Sequence, residues 1–250
     1  MTTPTSAQVA LVTGGTTGIG LATAQVLHKR GYAVMVTGRN PDSLAAAQRV
    51  LPDDVVVFRA DARSVADADA VAAELSRRFG KLDLAFLNAG VTSLVPLEAL
   101  DEETYDWHFD TNLKGQVFLL QKVLPLLGRG SSVVLTSSTG SDRGNPGMAV
   151  YAATKGAQLS LMRTLAVELA PRGIRVNAVS PGPIETPMMT KLGMPADMLD
   201  DFKVSFAARI PTGRFGTPEE IANAVAFLGS AEASYITGAN LVADGGRSIA

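Results

Sequence analysis

The run Val9-Ala10-Leu11-Val12-Thr13-Gly14-Gly15-Thr16-Thr17-Gly18-Ile19-Gly20 decides how the rest of the chain is read. Its first five residues, small and β-branched, read as a buried strand. The glycines read as a tight turn, and the pattern from residue 18 reads as the helix that the turn opens. Such a strand–turn–helix aims backbone N–H groups and the positive end of a helix dipole at an anion. Gly14, Gly18 and Gly20 would supply the turn, the close approach of a diphosphate and the tight helix–strand contact. Thr16, Thr17 and Ile19 fall between them and complete the cradle. The spacing departs from the generic Gly-x-Gly-x-x-Gly, and Leu21 rather than lysine follows Gly20, which excludes a P-loop.

Working outward, short β-branched runs alternate with helical patterns. Strands are expected at Val9–Thr13, Ala33–Thr37, Val55–Ala60, Leu82–Asn88, Ser131–Ser137, Arg175–Ser180 and Asn240–Ala243, and helices at about 18–30, 41–50, 64–79, 101–127, 149–170 and 218–229. Most strands are continuously apolar, as when both faces of a parallel sheet are covered. Punctuation agrees. Asn40-Pro41-Asp42 offers a cap, a first-turn proline and an acid; Thr217-Pro218-Glu219-Glu220 is a capping box; His28-Lys29-Arg30-Gly31 closes a helix. The expectation is α/β: one doubly wound Rossmann domain over 1–250, a seven-stranded, mostly parallel sheet with helices on both faces. The long irregular stretch from Pro181 to Thr217, rich in Pro and Met, is expected to form a substrate lid at about 183–217.

Composition narrows the chemistry. Twenty-two Lys and Arg against 24 Asp and Glu give a net charge of −2, no field for nucleic acid or anionic membrane. With no cysteine and only His28 and His108, thiol catalysis, cysteine-ligated metal sites and a zinc alcohol dehydrogenase centre are excluded. Met1 to Gln8 does not read as a signal peptide, and the greasiest segment, Val117 to Leu127, falls short of a bilayer span, so a cytoplasmic protein is expected.

Tyr151 and Lys155, four apart at a helix start, share one face, and Ser138 ends the fifth expected strand, where a parallel sheet opens onto its ligand crevice. Hydride transfer to a ketone needs a proton donor at the developing alkoxide, and the reverse needs a base there. Free tyrosine titrates near pH ~10, but a unit charge about 4 Å away at an effective dielectric of ~20 is worth roughly 4 kcal/mol, about three pKa units. A protonated Lys155 is thus expected to activate Tyr151 almost unaided, with Ser138 holding the substrate oxygen. Alone, Tyr-x-x-x-Lys is an ordinary exposed helical pair; its conjunction with the phosphate cradle gives it meaning.

Together these residues resemble the short-chain dehydrogenase/reductase family, of the type about 250 residues long, over essentially the whole chain. The resemblance implies that Asp61 holds the adenine amino group with Ala62 beside it, that Asn88-Ala89-Gly90 closes on the adenosine ribose, and that Asn112 positions a relay water to Lys155. It also implies that Tyr151 and Lys155 touch the cofactor, that Pro181, Gly182, Ile184 and Thr186 contact the nicotinamide, and that the protein is a homotetramer. Ala62 stands where valine is common.

An acid ending the second strand would hold a ribose 2′-hydroxyl; Gly38 stands there and Arg39 follows, so NADP(H) is expected over NAD(H). Met188, Met189, Leu192, Met194, Met198, Phe202 and Phe206 suit either a lipophilic carbonyl pocket or packing beneath the lid or across a subunit interface, and Met148, Thr139 and Gly140 are expected as further pocket lining. The expected reaction interconverts a ketone and a secondary alcohol. The alternatives are an NAD(H)-dependent dehydrogenase of the same family and a catalytically silent dinucleotide-binding module. A serine hydrolase fails for want of a Gly-x-Ser-x-Gly elbow.

Overall fold

The computed structural model describes residues 7–188 and 203–250. Its elements run β1 (Val9–Thr13), α1 (Gly18–Lys29), β2 (Ala33–Gly38), α2 (Pro41–Val50), β3 (Val56–Arg59), α3 (Val65–Phe79), β4 (Leu82–Leu87), α4 (Glu102–Phe109), α5 (Gly115–Val123), β5 (Leu127–Thr136), α6 (Ala149–Leu169), β6 (Arg175–Pro181), α7 (Pro218–Gly229) and β7 (Asn240–Ala243). The strands form one seven-stranded sheet in the order β3-β2-β1-β4-β5-β6-β7. Every pairing is parallel.

Alternation along each strand divides the core. Val9 and Leu11 of β1, Met35 of β2 and Val133 and Leu135 of β5 face α3, α5 and α6; Ala10, Val12, Val34, Val36 and Val134 face α1, α2 and α7. Phe86, fully buried on the second face, illustrates the energetics: truncation to alanine removes a large apolar payload at a cost of about 3–5 kcal/mol. The caps read from the sequence form. Ser43 N donates to Asn40 Oδ1 at 2.9 Å, and Thr217 and Glu220 exchange the two bonds of a capping box at 3.3 and 2.8 Å.

Most boundaries shift by no more than one residue, and two regions differ further. The helix expected over 101–127 breaks into α4, a wide π turn at Asp110–Lys114, α5 and a 3-10 turn at Leu124–Leu126. Pro125 stops the helix, and Leu127 is already paired with Leu82, so β5 starts four residues before Ser131, with an irregularity in its pairing to β4. Of the stretch expected as a lid, residues 203–207 are helical and Ile184 bridges to Gly216. Met189, Leu192, Met194, Met198 and Phe202 lie outside the described residues.

Strand order reverses between β1 and β4, and there the carboxyl ends of the strands part. Thr13 holds the opening: its Oγ1 accepts from Asn88 N and Ala89 N at 2.8 and 2.9 Å, while Asn88 Nδ2 donates to Thr13 O at 3.0 Å.

Candidate active site

The cradle has the shape the glycines imply. Gly14 adopts φ 61°, where a side chain would be strained. A Cβ on Gly20 would stand 2.2 Å from Gly14 O, so only glycine lets α1 press against the turn. The N-termini of α2, α3, α4 and α7 are capped by Asn40, Ser64, Asp101 and Thr217, whereas Thr17 makes no side-chain cap on α1 and no acid occupies its first turn. The first N–H groups of α1 are therefore left without a side-chain acceptor beside a glycine-lined turn, an arrangement that fits the diphosphate of a dinucleotide. Across the turn, a Cβ on Gly18 would meet Thr186 at 3.2 Å, which places the Ile184–Thr186 run against the cradle. Gly182 packs on Asp244 so closely that a Cβ would lie 2.5 Å from that residue's own, and its N–H bonds Ala243 O at 3.0 Å.

At the ends of β2 and β3, Asp61 takes a two-oxygen grip from Arg63, with the closest contact at 2.9 Å, and Arg39 reaches it at 3.5 Å. The Arg63 side chain, with desolvation opposing it, holds the Asp61 carboxyl down to about 2. A small cavity beside it is lined by Thr13, Thr37, Asp61 and Ala62. Gly38 has a second reason to be glycine: a Cβ there would come within 2.7 Å of Thr16 Cγ2, and Thr16 Oγ1 in turn bonds Ser43 Oγ at 3.3 Å. Arg63, Thr16 and Ser43 thus join the corner. Sequence reasoning placed Thr16 only in the glycine turn and missed Arg63 and Ser43, whose partners are set by the meeting of three loops.

The catalytic candidates come together at the other end of the opening. The Ser138 side chain lies near enough to the Tyr151 hydroxyl to lower its pKa, and Ser138 Oγ accepts from Gly140 N at 3.0 Å. Lys155 Nζ donates to Thr136 O at 2.7 Å and lies 5.6 Å from the centre of the Tyr151 ring. A Cβ on Gly90 would sit 3.4 Å from Asn112 Oδ1 and 3.6 Å from Lys155 Nζ, so this glycine fills the space between the two. Asn112 itself is a clamp. Its amide donates to Val91 O and Thr154 Oγ1 and its Oδ1 accepts from Val91 N, tying the wide turn to the β4 loop and to α6.

The electrostatics correct the expectation that a lysine cation acts almost unaided. Burial pushes the Tyr151 hydroxyl above its ordinary value, with the Ser138 hydrogen bond opposing. Burial also pulls Lys155 down to about 7. Burial thus weakens the very charge that was expected to activate the phenol. Among the described residues His108 is hydrogen-bonded to Thr104 O and Ser93 Oγ rather than to Ser138, and His28 pairs with Asp54.

Known proteins resemble this chain in sequence and in fold. Residues 14–248 match a family model described as enoyl-(acyl carrier protein) reductase. The chain is 38% identical to the 3-oxoacyl-[acyl-carrier-protein] reductase FabG of Thermotoga maritima, over 97% of this chain and 98% of that one, and 41% identical to the protein of that name from Staphylococcus aureus, over 95% and 96%. Among solved structures, levodione reductase superposes with a TM-score of 0.89 at 35% identity, covering 97% of this chain and 98% of the other. A short-chain dehydrogenase/reductase from Brucella melitensis gives the same TM-score and identity over 96% of each. Residue pattern, sheet order and these likenesses agree: the chain belongs to the short-chain dehydrogenase/reductase family, oxidoreductases that act on a carbonyl or alcohol with a nicotinamide cofactor.

Proposed function

We propose that this protein is an NADPH-dependent carbonyl reductase, with Tyr151 delivering the proton. The observation that carries the reading is the junction of Ser138, Tyr151 and Lys155 beside an uncapped, glycine-cradled helix terminus. Gly14, Thr16, Thr17, Gly18, Ile19 and Gly20 would hold the diphosphate. Asp61, Ala62, Asn88, Ala89 and Gly90 would hold the adenosine half; Pro181, Gly182, Ile184 and Thr186 the nicotinamide half. When bound, the cofactor supplies hydride to the carbonyl carbon. Ser138 and Tyr151 hold the carbonyl oxygen between their hydroxyls, which polarises it and fixes its face. The Tyr151 hydroxyl, kept protonated by burial, then gives its proton to the alkoxide. Lys155 stabilises the phenolate left behind, and Asn112 holds the wall from which the lysine is reprotonated.

NADPH rather than NADH is supported by Arg39, by two guanidinium groups around one carboxylate, and by the block that Thr16 sets against an acid at position 38. The FabG relatives favour a 3-oxoacyl thioester as substrate, and the levodione reductase likeness favours a cyclic ketone. A 2-enoyl thioester belongs in the same panel because the matched family carries that description. Assembly through the outer faces of α4–α6, where Tyr105 and Val167 are exposed, accords with a homotetramer, which sedimentation would count. The deciding experiment follows NADPH oxidation across that panel for the wild type and Tyr151→Phe. Turnover of a carbonyl by the wild type and its loss in the variant are expected; undiminished turnover in the variant would end the assignment.

A further inference from the structure

Behind Lys155 runs a line of buried amides that the proposed proton transfer does not use. Gln116 Nε2 donates to Ala89 O at 3.1 Å; Gln158 Nε2 donates to Gln116 Oε1 at 2.8 Å and to Asn112 O at 2.6 Å. Gln158 is fully buried and Gln116 nearly so. Two buried side-chain amides are an expensive choice where leucine would pack, so what they hold is informative. The line also has a fixed direction. A backbone carbonyl cannot flip, so Ala89 O dictates which end of Gln116 faces it, and Gln116 Oε1 then dictates which end of Gln158 donates. Gln158 Oε1 is left as a buried acceptor with no hydrogen-bond partner.

On α6, residues 151, 155 and 158 follow one stripe, and a helical side chain leans over the turn preceding its own Cα. Gln158 thus leans toward the level of Lys155, a buried amine whose single hydrogen bond among the described residues is to Thr136 O. An acceptor short of a donor lies one turn from a donor with protons to spare.

We infer that Gln158, oriented by Gln116, is a positioning residue for the catalytic set: it pins the Asn112 main chain in the wide turn and offers its unpartnered oxygen, through one water, to Lys155, favouring the ammonium. The inference rests on reading Tyr151 and Lys155 as the acid–base pair. Few other groups compete for this role. Tyr151 is the titratable neighbour on α6, and His108 of α4 lines the cavity on the far side of Tyr151. Among the described residues, the ends of β4 and β5 bring Asn88, Thr136, Ser137 and Ser138, none of them charged. Asp110 and Lys114 of the wide turn pair with each other, exposed, at 3.1 Å, and Arg175 of β6 is spent on the carbonyls that close α7.

The test titrates Lys155 by NMR of ¹³C-labelled lysine, its resonance assigned by loss in Lys155→Met, in the wild type, Gln158→Met and Gln116→Met. Removing the acceptor is expected to lower the lysine pKa by about half a pH unit or more in Gln158→Met, with a smaller fall in Gln116→Met, because a lost acceptor disfavours the charged form. Carbonyl reduction at pH 7 should lose about twofold or more in kcat while KM for NADPH stays within about twofold. A folded Gln158→Met whose lysine titrates as in the wild type overturns the proposal, whatever its melting temperature. Should that variant not fold, Gln116→Met carries the same reading, and an unchanged titration there overturns it equally. If the wild type reduces no carbonyl, the functional reading fails, while the titration still decides this one.

Discussion

The two ends of the crevice keep their charges in opposite ways. At the β2–β3 end, the side chains of Arg39, Asp61 and Arg63 are respectively 47%, 25% and 41% exposed and neutralise one another. At the β5–α6 end, Lys155 is 3% exposed, faces a carbonyl rather than a carboxylate, and loses its proton near pH 7. Exposed charges are cheap and screened by salt, so they sort ligands by sign with modest energies. A buried amine without a counterion is costly and easily titrated, which makes it useful for chemistry and poor for stability. Substitutions at the buried end should therefore change rates by orders of magnitude, and those at the exposed end should change preferences.

The largest effect is expected at Tyr151. Loss of a general acid usually costs a factor of about 10² to 10⁴. Tyr151→Phe keeps the ring and its packing, so kcat should fall at least about 100-fold while NADPH still binds, as read by fluorescence titration. Lys155→Met should be nearly as damaging to turnover, yet stabilising. The sign follows from linkage. A lysine whose folded pKa lies below its unfolded value binds fewer protons folded than unfolded between about pH 7 and the ordinary lysine value near 10.4, so its share of stability rises with pH through that window. An apolar side chain there removes the penalty, and a gain of roughly 1–2 kcal/mol at pH 7 is expected from denaturant melts, offset in part by the unpaired Thr136 carbonyl. A destabilised Lys155→Met would mean that the amine is better solvated than its burial implies, and the contrast between the two ends would shrink.

What the sequence disclosed and what it withheld follow the same division. Tyr151, Lys155 and Ser138 were legible because a helical spacing of four and a strand end fix their relation locally. The glycine cradle was legible because backbone conformation restricts residue choice more tightly than packing does. The wide turn at Asp110–Lys114 was not. It depends on Gly115 meeting the Ala62 carbonyl, where a Cβ would come within 1.8 Å, a contact between positions far apart in the chain. The Gln116–Gln158 bond spans 42 residues, and either glutamine alone reads as a surface residue. The activating effect of Lys155 on Tyr151 was overestimated because spacing gives proximity but not burial, and here burial depresses the amine that was to act as the cation.

Selectivity comes next in size. Arg39→Asp should reverse a preference for NADPH over NADH, with a shift of about tenfold or more in the ratio of the two kcat/KM values, since a bidentate guanidinium is exchanged for a like charge facing phosphate. Gly38→Asp is the more direct mimic of an NAD-binding acid, yet alone it should cripple binding of both cofactors, because the new Cβ runs into Thr16. Pairing it with Thr16→Gly should restore NADH turnover. If the single change already yields a good NADH enzyme, the corner is softer than its packing shows.

The smallest expected effect probes the salt bridges themselves. Asp61 has a folded pKa lowered to about 2 from 3.8, so the stability it lends is present above about pH 4 and fades as pH falls toward 2. Because the pair is substantially exposed, its worth lies within the ~0–1 kcal/mol typical of surface ion pairs. Asp61→Asn should accordingly leave stability at pH 7 almost unchanged and flatten the acid limb of the melting profile by a degree or two. The same change raises the local charge by one and frees both guanidinium groups, so NADPH affinity should become more sensitive to salt even as the proposed contact to adenine is weakened. A large loss of stability at pH 7 in Asp61→Asn would show that this corner, like its counterpart at Lys155, is held by desolvated charge, and the distinction between the two ends would fail.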